Sequence, residues 1–220
     1  MKLNLPILDH SIEVRNATIF TVKAPEIFAQ IISELYTLDE GSDLKLFSED
    51  QKRLNRSDLL VVIDILGFDP NSTTFQRKIL KDIEEQLNFE IEKKIEIEEL
   101  LGKLYSLFEY EVLEHELDLE ISELTLSRAL KAFQPHLTFN ESNILEKMLD
   151  IVKVYSYLQG AVKLLIFVNA RSFLTETEYE ELRSFVILSN VKTLFLESTV
   201  VPAQRQYILD EDYYLDEPLD

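Results

Sequence analysis

Apolar residues along this chain follow two rhythms, and the change between them divides it. Thr18-Ile-Phe-Thr-Val22 is a short β-branched run, Pro25 suits a first helical turn, and Ile27, Phe28, Ile31, Ile32 and Leu35 recur at helical spacing. That pattern predicts a strand, a turn and a helix. Next comes Leu59-Leu-Val-Val-Ile-Asp-Ile-Leu-Gly-Phe-Asp69, whose unbroken apolar run before an acid predicts a strand buried on both faces of a parallel sheet.

From about Ser72 to Phe133 the period turns helical. Phe75, Ile79, Leu80, Ile83 and Leu87 form one stripe, and Ile97, Leu100, Leu101, Leu104 and Phe108 form another, predicting two packed helices with Asn88–Glu92 either a break between them or an early start of the second. A third helix is expected from Ser122 as its N-cap, carrying Leu126, Leu130 and Phe133 until Pro135 stops it. After a helix over 141–158, strand patterns return in Lys163–Asn169 and Thr193–Glu197, with a helix over 175–187 between them, which makes a βαβ unit. Strand runs of the same character on both sides of the helical segment predict one sheet interrupted by an inserted arm. The expected division is an α/β head from 1–70 and 141–220, and a helical leg from 71–140.

Composition narrows the chemistry. With no cysteine, thiolate metal sites and thiol nucleophiles are excluded, and only His10, His115 and His136 supply imidazole, so any metal would be held mainly by oxygen. No apolar run reaches the roughly 18 residues of a membrane span, and the first ten residues lack the apolar stretch of a secretory signal, so the expected location is cytoplasmic. The 22 Lys and Arg face 41 Asp and Glu, a formal net charge of −19. Every third of the chain is acidic, which by itself argues against nucleic acid unless a local lysine surface or divalent cations offset the carboxylates.

Where a phosphate loop would follow the first strand, the chain reads Val22-Lys-Ala-Pro-Glu26. Such a loop needs glycines so that backbone N–H groups converge on the anion, a lysine for the outer phosphates, and a Ser or Thr for the metal. Glycines and hydroxyl are absent, and Glu26 adds a negative charge. Asp64 sits where a metal-binding aspartate could follow a strand, although a buried or capping aspartate is the ordinary reading without the loop.

Seven carboxylates, Glu109, Glu111, Glu114, Glu116, Asp118, Glu120 and Glu123, fall in fifteen residues with no lysine or arginine among them. In an extended backbone Glu116, Asp118 and Glu120 would share one face, an oxygen-only set that suits Ca²⁺ better than Mg²⁺; the alternative is a solvated acidic surface. Cations gather at Lys52, Arg53 and Arg56, at Arg77, Lys78 and Lys81, and at Arg128 and Lys131, where i,i+4 pairing with Glu is their usual role. The tail, with Tyr207, Ile208, Leu209, Tyr213, Tyr214 and Leu215, is too apolar to stay solvated and is expected to pack on the head or on another subunit.

Four strings, LLVVIDILGFD at 59–69, HELDLE at 115–120, KLLIFVNARSFLT at 163–175 and QYILDEDY at 206–213, together resemble one family, the small subtype-specific protein of type II-A CRISPR loci. The resemblance spans nearly the whole chain in length and order. It implies an α/β head that is a degenerate P-loop-NTPase-like domain with a parallel-rich sheet, plus an inserted all-helical leg. It further implies a bacterial cytoplasmic homotetrameric ring that binds Ca²⁺ and threads double-stranded DNA, preferring linear ends, in spacer acquisition. No catalysis is implied, and the expected partners are the CRISPR adaptation integrase complex and the effector nuclease. On this likeness Glu116, Asp118, Glu120 and Glu123 are the calcium ligands. Clustering on the arm makes Arg77, Lys78, Lys81, Arg128 and Lys131 the candidate DNA contacts. The competing readings are a metal-dependent nuclease or nucleotide hydrolase using Asp64 and the acidic cluster, and an acidic protein scaffold.

Overall fold

A computed structural model describes residues 1–138, 143–158 and 162–218. The chain divides into two units, Met1–Phe68 with Phe139–Asp220, and Asp69–Thr138. The start of the helix expected from 141, and the expected cut at 140/141, lie outside the described residues.

The first unit opens with β1 (Lys2–Asn4), β2 (Ile12–Glu13), β3 (Thr18–Val22), α1 (Pro25–Thr37), β4 (Lys45–Phe47) and β5 (Leu59–Val62). The second unit carries α2 (Thr73–Phe89), α3 (Ile91–Leu113) and α4 (Leu126–Phe133). The chain then completes the first unit with α5 (Ile144–Leu158), β6 (Leu164–Val168), α6 (Glu176–Leu188), β7 (Thr193–Glu197), β8 (Tyr207–Leu209) and β9 (Leu215–Asp216). One six-stranded sheet runs in the order β5-β6-β7-β3-β8-β9; its first five strands are parallel, and β9 closes the edge antiparallel to β8. A second, three-stranded antiparallel sheet, β2-β1-β4, has no counterpart in the hydrophobic pattern of the first fifty residues.

Strand alternation sorts the sheet's side chains onto two cores. Ile19, Leu165, Phe167 and Phe195 face α5 and α6, meeting Met148, Val152, Tyr155, Tyr179 and Leu182. Phe20, Leu164, Ile166, Leu194 and Leu196 face the other way, toward Ile31 and Leu35 of α1 and Leu3 and Leu46 of the small sheet. Phe195 anchors the first core, stacked on Phe167 at 5.7 Å and edge-on to Tyr179 at 5.4 Å between ring centroids.

Two expectations change here. The run 59–69 yields only a four-residue strand, β5, which lies at the edge of the sheet with Leu60 and Val61 half-buried. An apolar run signals burial, but it does not say whether a strand has one neighbour or two. Similarly, α4 starts at Leu126 with Thr125 as its cap, whose hydroxyl accepts from the Arg128 N–H, so Ser122 is not the cap. The tail docks on the head: Leu209 and Leu215 are buried in its core, while Tyr213 and Tyr214 stay exposed.

In the second unit, α2 and α3 meet at Glu90, which ends one helix and begins the next. Phe75 is buried and Ile79, Leu80, Ile83 and Leu87 half-buried, so the first stripe packs. The second stripe packs only in part: Ile97 and Leu101 are half-buried, while Leu100, Leu104 and Phe108, with Leu107 beside them, are exposed.

Candidate functional site

At the first βα connection only Lys23 and Ala24 separate β3 from α1, and Pro25 occupies the first helical position without an N–H. The Lys23 N–H is taken by the Leu209 carbonyl at 2.9 Å. Two residues, one donor already used and a proline next in line leave nothing to wrap an anion, and Glu26 in the first turn opposes one. This strand end cannot cradle a phosphate.

Asp64 does not belong to that place either. It follows the edge strand β5, with β6 and β7 lying between β5 and β3, and it is exposed. At about 4.8 Å per strand step this puts it roughly 14 Å from the first strand's end. Its Oδ1 accepts from the Gly67 N–H at 2.9 Å, and a Cβ on Gly67 would collide with its Oδ2. Asp64 caps a turn, the ordinary reading of its place in the sequence.

Of the two strands that adjoin β3, β7 ends in Glu197, a residue that no motif or spacing singles out. Its apolar run resembles the one before Asp64, but only the sheet order brings it to the centre. Glu197 pairs in register with Thr21 and is fully buried. Its Oε1 accepts from the Arg171 backbone N–H at 3.2 Å and from the Tyr179 hydroxyl at 3.4 Å; Oε2 has no partner among the described residues. Burial pushes the carboxyl up to about 7, against the opposing pull of those two hydrogen bonds and of the Arg171 charge. The Tyr179 hydroxyl is raised too, first by burial and then by Glu197. Around this group Asn169 accepts from the Ser198 N–H and hydroxyl, both at 2.9 Å, and Gln206 accepts from the Thr21 hydroxyl at 2.8 Å.

In the helical unit the candidate cations lie on two helices. Arg77 and Lys81 stand one turn apart on α2 and are exposed, and Lys81 pairs with Glu85 at 3.2 Å. Lys78 is half-buried; loss of water lowers its pKa most, the neighbouring Lys81 adds to this, and Asp82 opposes it. On α4, Arg128 donates to the Glu123 carbonyl at 2.7 Å and Lys131 is exposed. Of the third group, Arg53 donates to the Asp39 and Glu40 carbonyls and Arg56 to that of Leu59.

The proposed calcium ligands do not converge in one chain. Residues 116–123 contain no strand, Glu116, Asp118, Glu120 and Glu123 are exposed, and among the described residues no three His, Asp or Glu side chains gather as a metal would need. No strand forms there because a self-repelling run has no neighbour to pair with. Glu123 instead lines an open groove with Glu98, Leu101, Gly102 and Tyr105 of α3. Oxygen donors suit Ca²⁺ chemically, but one chain does not assemble a shell.

Fold and site thus define an α/β protein with a parallel-rich sheet, a first strand-to-helix turn closed by proline, and an inserted helical unit whose longest helix displays Leu100, Leu104, Leu107 and Phe108. Residues 36–213 match the family model described as CRISPR-associated protein (Cas_Csn2). The chain is 41% identical over 215 residues to the CRISPR-associated protein Csn2 of Enterococcus faecalis, covering 98% of each. It is 36% identical to that of Streptococcus agalactiae, covering 98% of this chain and 97% of the relative. This chain belongs to the CRISPR-associated Csn2 family. Among solved structures it is similar to Stu0660 of Streptococcus thermophilus, with a TM-score of 0.61 and 15% identity over 100% of this chain and 77% of the other, a likeness of fold. No described helix is long and apolar enough to cross a membrane.

Proposed function

We propose that this chain is a non-catalytic, double-stranded DNA-binding protein that acts in spacer acquisition of type II-A CRISPR immunity as a homotetrameric ring holding linear DNA ends. The observation that carries this reading is α3, a 23-residue helix that fully buries none of its residues while displaying Leu100, Leu104, Leu107 and Phe108. Water is a poor environment for that face, and a symmetric set of copies is the commonest way for a chain to cover one. Arg77, Lys78, Lys81, Arg128 and Lys131 then supply phosphate contacts that carry no sequence information. Lys78 stands beside Lys81, so a phosphate there would meet two cations. The head serves as a P-loop-like scaffold whose nucleotide edge is closed at Pro25.

Calcium belongs to this proposal as an ion shared between copies, since Glu116, Asp118, Glu120 and Glu123 do not close a site within one. Cytoplasmic location, and work alongside the adaptation integrase complex and the effector nuclease, follow from the same reading. The test is sedimentation with Ca²⁺ and with EDTA, repeated with linear and with closed circular duplex. Tetramers that need Ca²⁺ and retain linear DNA preferentially are expected. A monomer under all conditions, or equal retention of circular DNA, would overturn the ring; ATP turnover abolished by Asp64→Asn would replace it with the hydrolase.

A further inference from the structure

The buried carboxyl at the end of β7 has no part in DNA binding or assembly as proposed above, yet its surroundings are arranged in a particular way. Every element packed on Glu197 offers it a neutral or a cationic group. β3 brings Thr21, whose hydroxyl is already donated to Gln206; the turn over Ala170–Phe173 brings the Arg171 N–H and guanidinium; α6 brings the Tyr179 hydroxyl, with Arg183 beside it. Of these groups, Glu197 Oε2, Arg171 Nε and Arg183 Nε are buried without hydrogen-bond partners among the described residues. The Arg171 guanidinium is meanwhile committed through Nη1 to the Leu174 carbonyl, immediately before Thr175, the N-cap of α6.

We propose that Glu197 is a proton-operated latch in the head: with a proton on Oε2 it sits neutral in the core, and on losing that proton it draws the Arg171 guanidinium from Leu174 and loosens the turn leading into α6. The physical reason is the mismatch of donors. A neutral acid can leave Oε2 idle, whereas a carboxylate there is a buried charge whose second oxygen has no donor, and Arg171 Nε is a buried donor with no acceptor. Moving the guanidinium pairs the two atoms and breaks the bond to Leu174.

Linkage fixes the direction. The folded head holds the Glu197 proton up to about 7, while the unfolded chain releases it near 4.5. Between those values the folded state binds more protons than the unfolded one, so this group's contribution to stability is full at the acid end and is lost as pH rises toward 7.

The experiment follows the wild-type Glu197 side-chain carboxyl by ¹³C NMR from pH 4 to 9 and, on the same protein, amide exchange over residues 169–178 at pH 6 and 8.5, corrected for intrinsic rates. Glu197 is expected to titrate at least about one pH unit above ordinary glutamates, with protection over 169–178 falling about tenfold or more across that interval. In Glu197→Gln, which keeps shape without the titrating proton, protection should be the same at both pH values. A Glu197 resonance that titrates with the bulk carboxylates, or an equal loss of protection in Glu197→Gln, overturns the latch. Should that variant not fold, wild-type titration without a matching change in exchange overturns it as well.

Discussion

β7 buries all five of its residues, whereas α3 buries none of its 23. Both segments mix leucine with glutamate, so composition does not explain the difference. β7 has a hydrogen-bonded strand on either side and a covering core on each face, so its side chains have nowhere to meet water. Along α3 the apolar positions run from Ile91 through Ile95, Leu100 and Leu104 to Leu113, interleaved with Glu and Lys that keep the helix hydrated. The sheet of the head is covered on both faces; α3 of the leg displays Leu100, Leu104, Leu107 and Phe108. On the proposed function, that contrast makes the leg the place for assembly and the head a scaffold.

Substitutions in the two regions should break the contrast in different ways. Phe195→Ala removes the ring that joins Phe167 and Tyr179 and should cost about 3–5 kcal/mol, read as a fall in the urea midpoint of the head's transition. Changing Leu104, Leu107 and Phe108 of α3 to glutamate together should leave that midpoint within about 0.5 kcal/mol of wild type. The same triple variant should weaken self-association at least about tenfold, or about 1.4 kcal/mol, on dilution in the ultracentrifuge. If it melts early instead, α3 is packed within its own chain and the comparison fails.

Reversing the charge of Arg77 and Lys81 should weaken binding to unrelated duplex sequences alike, and lower the slope of log affinity against log salt by roughly one for each phosphate that these side chains neutralise. A loss confined to one DNA sequence would mean base reading instead. The smallest expected effect belongs to the cap of α4: Thr125→Ala removes the acceptor for the Arg128 N–H and should cost about 1 kcal/mol, read as faster amide exchange in the first turn of that helix.

Much of the sheet was legible because strand burial leaves a direct trace in sequence. Thr18–Val22 and Thr193–Glu197 begin and end where the β-branched and apolar runs do. Helix starts were harder to place. Ser122 and Thr125 are both capping residues, and the choice between them depended on which hydroxyl lies opposite an unpaired N–H, which was Thr125 facing Arg128. The small β2-β1-β4 sheet left no periodic trace, because strands of two and three residues are too short to show one.

Sites were less legible than elements. The absence of a phosphate loop could be read directly, since it depends on consecutive residues at one turn. Asp64 and Glu197 each end an apolar run; the ordinary reading of Asp64 as a capping aspartate is what its bond from the Gly67 N–H bears out, while nothing in the sequence singled out Glu197. Strand order put β5 at the edge and β7 beside β3.

The sequence by itself therefore determined the longer strands and helices, that the first strand ends without a phosphate loop, that no thiol chemistry is available, and that the chain is strongly acidic. These are properties of residues taken singly or in short runs, and local sterics and hydration decide them. Only the tertiary structure decided that β5 lies at the sheet's edge, that Glu197 is enclosed with one oxygen idle, that the acids of 116–123 do not converge, and that α3 displays part of its apolar stripe. Each of those depends on which distant segments become neighbours, and hydrogen bonding, desolvation and the pKa of a carboxyl are all set by neighbours rather than by position along the chain.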